Sequence, residues 1–300
     1  MKIISGLLKL IFINILIYFS FNAQATEGDD LLWSGCGITK KAFMAELGKA
    51  YTAKTGVNVV IKGGGATKGI RNAANGSIDI GGACRATIQN IKDESAAYQI
   101  PVAWDALVVI VNKANPVNSI SFKQLQQLYI GQIKNWKELG GNDSPIELYE
   151  RKGKLSGVGR TLRELVFANY EQDFVVAHTV NSSGPLEEGI LNNVNGIGTT
   201  GVSSAKRRDL KILKLDDKEP SYENIKNGEY LLYRPLYLVT SVPRKTSDKV
   251  KKFISFALSS EGKAIIRKAG TVPYSDAMSL VMKQLQQYKK ARDSGIFSNN

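Results

Sequence analysis

The chain has 300 residues, 43% of them hydrophobic, with 40 Lys and Arg against 27 Asp and Glu and a formal charge of +13. That composition is ordinary for a globular protein and allows one or two domains with a large core. The positive balance raises the local concentration of anions, but no Lys/Arg-rich tract exists and the aromatics are not interleaved with basic residues, which argues against nucleic acid as a partner.

Lys2 and Lys9 precede an uncharged apolar run from Leu10 to Phe21, and Ala23-Gln24-Ala25 supplies small residues in the A-x-A pattern. This reads as a secretory signal peptide over 1–25, cleaved after Ala25. The apolar run is shorter than the ~20 residues a membrane span needs. No Cys follows directly, so a soluble periplasmic protein is expected rather than a lipid-anchored one. Removing the two leader lysines leaves +11 on the mature chain.

Asp30 to Ser34 reads as a first strand, and a glycine turn through Cys36 leads to Thr39 and a helix carrying Phe43, Leu47 and Tyr51. Gly56 to Lys62 alternates and is β-branched, as a second strand does. Gly63-Gly64-Gly65 breaks it before a helix opened by Ala66-Thr67-Lys68. Ile78 to Ala83 is a third strand, followed by Cys84-Arg85. Strands alternating with helices imply right-handed βαβ units and a parallel sheet. Further on, Ala106–Asn112, 145–150 and Gly196–Val202 read as strands, and Tyr230–Thr240, interrupted by Arg234-Pro235, as a long extended crossing. Helices are expected over Phe122–Tyr129, Arg160–Ala168, Gly184–Asn193 and Ser247–Lys268, the last from its apolar 3.6 periodicity.

Three strand-to-helix junctions, Gly35 to Thr39, Gly63 to Thr67 and Gly81 to Arg85, end in glycines with a small polar residue near the helix start. Ligands of open α/β sheets bind beyond the carboxyl ends of strands, where unpaired N–H groups and the positive end of the helix dipole favour an anion. The Gly63–Gly69 loop lacks the Gly-Lys-Ser/Thr ending of a nucleotide P-loop. A fourth loop, Arg151 to Arg160, adds four cations and three glycines before a helix; an Arg fork can hold two oxygens of a tetrahedral anion.

Cys36 and Cys84 sit at two of these junctions. An even number of cysteines in an exported protein favours a disulfide. Three other readings stay open: two thiols for a soft ligand such as arsenite or a metal ion, independent buried thiols, or a redox-active pair. His178 is the lone histidine and reads as a structural strand residue, so no four-ligand zinc site is expected. Trp104 reads as core, and Asp105 and Glu150 as structural partners of an Arg or a helix start. No glycosidase-like carboxylate pair, His-rich metal motif or Gly-x-Ser-x-Gly elbow appears, so the chain reads as a non-enzyme without cofactor or metal.

The segments from Gly63 to Ile70, Asp79 to Gly81, Asp105 to Asn112, Gly131 to Trp136, Tyr233 to Tyr237 and Ser259 to Pro273 resemble, in order, the periplasmic phosphate-binding proteins of ABC importers. The resemblance implies a two-lobed α/β fold, each lobe a mainly parallel sheet flanked by helices, joined by hinge strands near Leu107–Asn112 and Leu232–Val239. It implies lobes of 26–109 with 236–300, and 110–235. It also implies a monomer that captures inorganic phosphate or a similar oxyanion between the lobes and delivers it to an inner-membrane ABC permease. By position, the ligand contacts fall on Cys36, Thr39, Lys40 through its N–H, Gly65, Ala66, Thr67, Cys84, Arg85, Arg151, Ser156, Gly157 and Gly159. The alternative is a repurposed binding or sensor protein using Cys36 and Cys84 for a thiol-seeking ligand or a redox partner. This chain departs from the family's pattern at Ala66, at Cys84 and in Ser156-Gly157-Val158-Gly159, where hydroxyls or a carboxylate are lost.

Overall fold

The computed structural model describes residues 30–88, 90–242 and 246–297, with side chains to 294. The expected signal peptide and its cleavage site lie outside the described residues. β1 (Leu31–Gly35) leads through Cys36 into α1 (Gly37–Thr39), a π turn over Lys40–Met44 and α2 (Ala45–Thr55), which form one continuous helical run. Gly56, at φ 77°, closes that run in the left-handed conformation that glycine adopts without strain. β2 (Val59–Gly63), α3 (Gly65–Ala74) and β3 (Ile80–Ala83) complete two parallel crossovers, with β1 between β2 and β3.

β4 (Ala97–Asn112) is far longer than the Ala106–Asn112 strand expected from hydrophobicity. Its first part contains Pro101, which cannot donate to a ladder; next to it β4 bulges at Val102, so that the register on the partner strand shifts between Leu236 and Tyr237. Next come β5 (Ser119–Ile120), α4 (Phe122–Tyr129), β6 (Glu147–Arg151), α5 (Gly157–Leu162) and a π turn over Arg163–Phe167. α4 has the expected limits because Ser121 and Gln124 form a reciprocal capping box at its start. β7 (His178–Val180), α6 (Ser183–Leu191), β8 (Gly196–Gly201), α7 (Val202–Ala205), β9 (Leu210–Ile212), β10 (Lys214–Leu215) and α8 (Tyr222–Lys226) follow. The chain returns along β11 (Tyr233–Ser241) and closes with α9 (Asp248–Leu258), α10 (Ser260–Lys268), β12 (Val272–Pro273) and α11 (Ser279–Phe297). The single helix expected over Ser247–Lys268 is broken at Ser259, whose extended backbone and side chain, accepting from the Gly262 N–H, cap a new helix.

Among the described residues, ten strands form one curled sheet in the order β2-β1-β3-β11-β4-β8-β6-β7, with β9 and β12 also pairing with β4, and β5 pairs with β10 apart from it. β1, β2 and β3 are parallel, as are β6, β7 and β8, while β11 and β4 run antiparallel to their neighbours. β4 pairs with β11 over its first ten residues and with β8 over Leu107–Val111. Two α/β lobes therefore share this strand, with the handover at Ala106 and Leu107. On the return, the Leu107 N–H donates to Leu232 O at 2.8 Å and the Tyr230 hydroxyl to Leu107 O at 3.0 Å. α11 touches both lobes: Tyr288 pairs with Tyr237 at 2.9 Å, and the Ser294 hydroxyl donates to Ala168 O. Trp104 is fully buried and stacks on Tyr274.

Candidate functional site at the lobe boundary

β1 and β3 are paired in the register Gly35–Gly82, so the residues just beyond them come to one rim. The Cys36 N–H donates to Gly82 O at 2.9 Å. α3 is laid across β1 and β3 so closely that a Cβ on Gly69 would stand 2.8 Å from Gly35 Cα and from Gly82 O. This places all three glycine junctions on one face: Cys36 to Thr39, Gly64 to Thr67, and Cys84 with Arg85. Gly65, at φ 83°, needs glycine to turn into α3.

The loop after β6 in the second lobe meets this face directly. A Cβ on Gly157 would fall 2.4 Å from Cys84 Sγ and 3.0 Å from Ala66 Cβ, so only glycine permits the approach. The Thr67 hydroxyl and Arg85 Nε both donate to Leu155 O at 3.0 Å, and the Thr161 hydroxyl is 3.3 Å from Cys84 O. Eight expected positions thus share one locus: Cys36, Ala66, Thr67, Cys84, Arg85, Ser156, Gly157 and Gly159.

The expected donors are engaged with protein here. The Lys40 N–H closes a helical bond to Cys36 O at 3.0 Å and its side chain is exposed; the Thr39 hydroxyl donates to Ala83 O at 3.2 Å. Ser156 caps α5 by accepting from the Gly159 N–H at 3.0 Å. Arg85 is buried and forks onto Glu94 at 2.7 and 2.9 Å, while Arg151 donates to the Ser183 hydroxyl at 2.9 Å and to Asn181 O at 2.8 Å. Each Arg is held by acceptors that fix its plane, which pre-organises a guanidinium.

The structure corrects the expectation of a disulfide. Cys36 and Cys84 are free thiols, 5% and 1% exposed. The neighbouring Cys84 thiol, helped by the Arg234 charge and the N–H groups of Thr39 and Ile38 and opposed by burial, lowers the Cys36 thiol to about 6. Sharing the proton with Cys36 pushes Cys84 well above the ordinary thiol value, and burial adds to this.

Arg234 is the residue that motif reading left out of the site. It is fully enclosed, donates from Nη1 to Cys84 O and from Nη2 to Asp105 Oδ2, both at 3.3 Å, and its Nε has no hydrogen-bond partner. Asp105 also accepts from the Ser203 N–H at the start of α7, so it has the structural role expected of it. An arginine inside the apolar run Tyr230–Thr240 was the available signal, since a buried guanidinium requires a partner. A second crossing lies at the other end of the boundary. Lys41 Nζ reaches buried Glu187 at 3.3 Å and the Ser204 hydroxyl at 2.7 Å, and Arg207 donates to Lys41 O at 2.8 Å. His178 lies away from the rim in β7, bonded to Glu147 at 2.6 Å.

A family model described as a PBP superfamily domain matches residues 22–261. The chain belongs to the PBP superfamily. Among curated relatives, it is 31% identical to the phosphate-binding protein PstS of Borreliella burgdorferi, over 59% of this chain and 66% of that one. It is 25% identical to PstS of Bacillus subtilis, over 85% and 86%. A crystal structure described as a putative phosphate ABC transporter substrate-binding protein with bound phosphate, from Clostridium perfringens, superposes with a TM-score of 0.74 at 30% identity, covering 81% of this chain and 99% of that one. These matches bear out the resemblance to phosphate-binding proteins and the two-lobed α/β fold. Among the described residues, no helix is long and apolar enough to cross a membrane.

Proposed function

We propose that this chain is a periplasmic, non-catalytic binding protein that captures a small oxyanion, phosphate first, between its lobes and presents it to an inner-membrane ABC permease. One observation carries the reading: helix starts of the first lobe and the Arg151–Gly159 loop of the second converge on one locus, with Cys84 and Gly157 in contact. Relatives described as phosphate-binding supply the ligand class. The moving bodies would be 26–109 with 236–300 against 110–235. The pairing handover at Ala106 and Leu107 lies close to the first boundary, while α11 spans both bodies.

Hinge closure is the natural mechanism. Opening about β4 and β11 would release Leu155 O from Thr67 and Arg85, freeing these donors, with the N–H groups of the α3 and α5 starts, for an anion. Closing over the ligand would desolvate it, so that a missing or surplus proton leaves a group unpaired. Isothermal titration of the mature protein with phosphate, sulfate, arsenate and molybdate tests this. Heat with phosphate is expected; no heat from any of the four would overturn the reading.

A further inference from the structure

The helical run that follows Cys36 presents one face to the second lobe. Ile38, fully buried, packs against the end of β8, where a Cβ on Gly201 would fall 2.5 Å from its Cγ2. Lys41 stands one turn further along that face and crosses the boundary. Its Nζ donates to Ser204 Oγ at 2.7 Å and lies 3.3 Å from Glu187 Oε2. Arg207 returns across the same gap, donating from Nη2 to Lys41 O at 2.8 Å. Glu187, on α6, is 0% exposed. Its Oε1 accepts from the hydroxyls of Thr200 and Ser204, and its Oε2 accepts from Arg208 Nε at 2.9 Å.

The two sides of this contact are unequal. When Lys41 leaves, Glu187 keeps both hydroxyls and the Arg208 charge, all from its own lobe, so opening strands no buried carboxylate. The Lys41 side chain is 31% exposed even with the lobes joined, and its ammonium passes readily to water on a flexible stem. A pair built this way can break and re-form. Lys41 also follows Thr39 closely, in the run whose start faces the anion rim. Separation of the lobes at that rim carries Lys41 away from α6 and α7.

We propose that Lys41 is a positioning residue: an electrostatic latch on Glu187 and Ser204 that sets how often the lobes close without ligand, and so how tightly the cleft holds an oxyanion. The proposal rests on the oxyanion reading above. An anion that touches both lobes only when they are closed binds with an apparent affinity that scales with the closed-to-open ratio. The latch adds its free energy to the closed form alone. Its two partners, Glu187 and Ser204, are not among the expected ligand contacts, so it acts on release rather than capture. With the latch broken, a liganded cleft reopens sooner, while the open form takes up the anion at the same rate. Linkage makes the effect reciprocal, and a bound anion holds the latch shut by the same factor.

The mature wild-type chain, Lys41→Met and Lys41→Arg can be compared by small-angle X-ray scattering without ligand, by phosphate calorimetry and by stopped-flow tryptophan fluorescence. Without ligand, Lys41→Met should have a larger radius of gyration than wild type, a change that a direct contact between Lys41 and the anion could not produce. It should bind phosphate about five- to tenfold more weakly, with the loss in a faster dissociation rate. Lys41→Arg, which keeps the charge, should restore both properties. An unchanged ligand-free radius in Lys41→Met, or an arginine variant as weak as the methionine one, would overturn the latch. A larger radius with equal phosphate affinity would overturn its coupling to the cleft. No phosphate binding by any of the three proteins, with the ligand-free expansion of Lys41→Met present, would overturn the oxyanion reading while supporting the latch.

Discussion

Arg234 and Asp105 show what a single buried ion pair does in this molecule. Both lie in the interior of the shared strands, 2% and 0% exposed, so each charge depends on the other for what water would supply. Burial alone raises the Asp105 carboxyl, and Arg234 and the Ser203 N–H hold it down only in part. Removing the negative partner should therefore cost more than the pair contributes. We expect Asp105→Asn to lose about 3–5 kcal/mol in urea unfolding, because it strands a guanidinium without a counter-charge. The double variant Asp105→Leu with Arg234→Met should recover most of that loss. A near-neutral Asp105→Asn variant would show that Arg234 is compensated elsewhere, with the Cys36 thiolate as the first candidate.

At the scale of elements, α3 is set by glycine. Gly69 on the helix and Gly81 on β3 meet backbone to backbone: a Cβ on Gly81 would lie 2.3 Å from Gly69 O, and one on Gly69 would lie 2.9 Å from Ser34 O. The start of α3 reaches the rim only because of this approach. Gly69→Val should destabilise the fold by about 1–3 kcal/mol or more through overpacking that rotamers cannot relieve. It should also weaken phosphate binding by displacing Thr67. An unchanged urea midpoint with unchanged phosphate affinity would contradict both expectations. The glycine spacing in Gly63–Gly69 and Ile78–Gly82 was legible as chain breaks and helix starts, and the family pattern lay in the same residues. That these glycines are required by packing was not legible, because the atoms that crowd them come from other elements, β1 and β3 against Gly69 and α3 against Gly81.

Across the whole molecule, charge is buried beneath the second lobe's Arg151–Gly159 loop. Burial pushes Glu150 up to about 7, with the Arg151 N–H and Arg163 acting against it, and Glu164 up to about 8, with the Tyr170 hydroxyl and Arg160 acting against it. In the unfolded chain both titrate near the ordinary 4.5. The folded state therefore holds more protons than the unfolded state between these values. Their contribution to stability is complete below about pH 4.5 and is lost as pH rises through 7 to 8. The melting temperature should fall across that window, and Glu150→Gln with Glu164→Gln should flatten the fall and raise the melting temperature at its upper end. The same slope in variant and wild type would remove these two groups from the account. Any rise from the depressed Cys36 thiol runs in the opposite direction and is common to both proteins.

The local code in this chain is strong where neighbours in sequence are also neighbours in space. β1, the helical run after it, α4 with its capping box and the glycine junctions all follow from periodicity and capping within a few residues, and the ordered motifs carried the family and the two-lobed fold. The glycine junctions were placed on one rim by the same means, since a βαβ unit sends every strand end to one side. What folding alone decided was pairing. Arg85 goes to Glu94, Arg234 to Asp105 and Cys84, Gly157 to the Cys84 sulfur, and the two cysteines remain free thiols. Apart from Arg85 and Glu94, nine residues apart, these choices join segments far apart in the chain, where burial and charge neutralisation select the partner and local propensity carries no information.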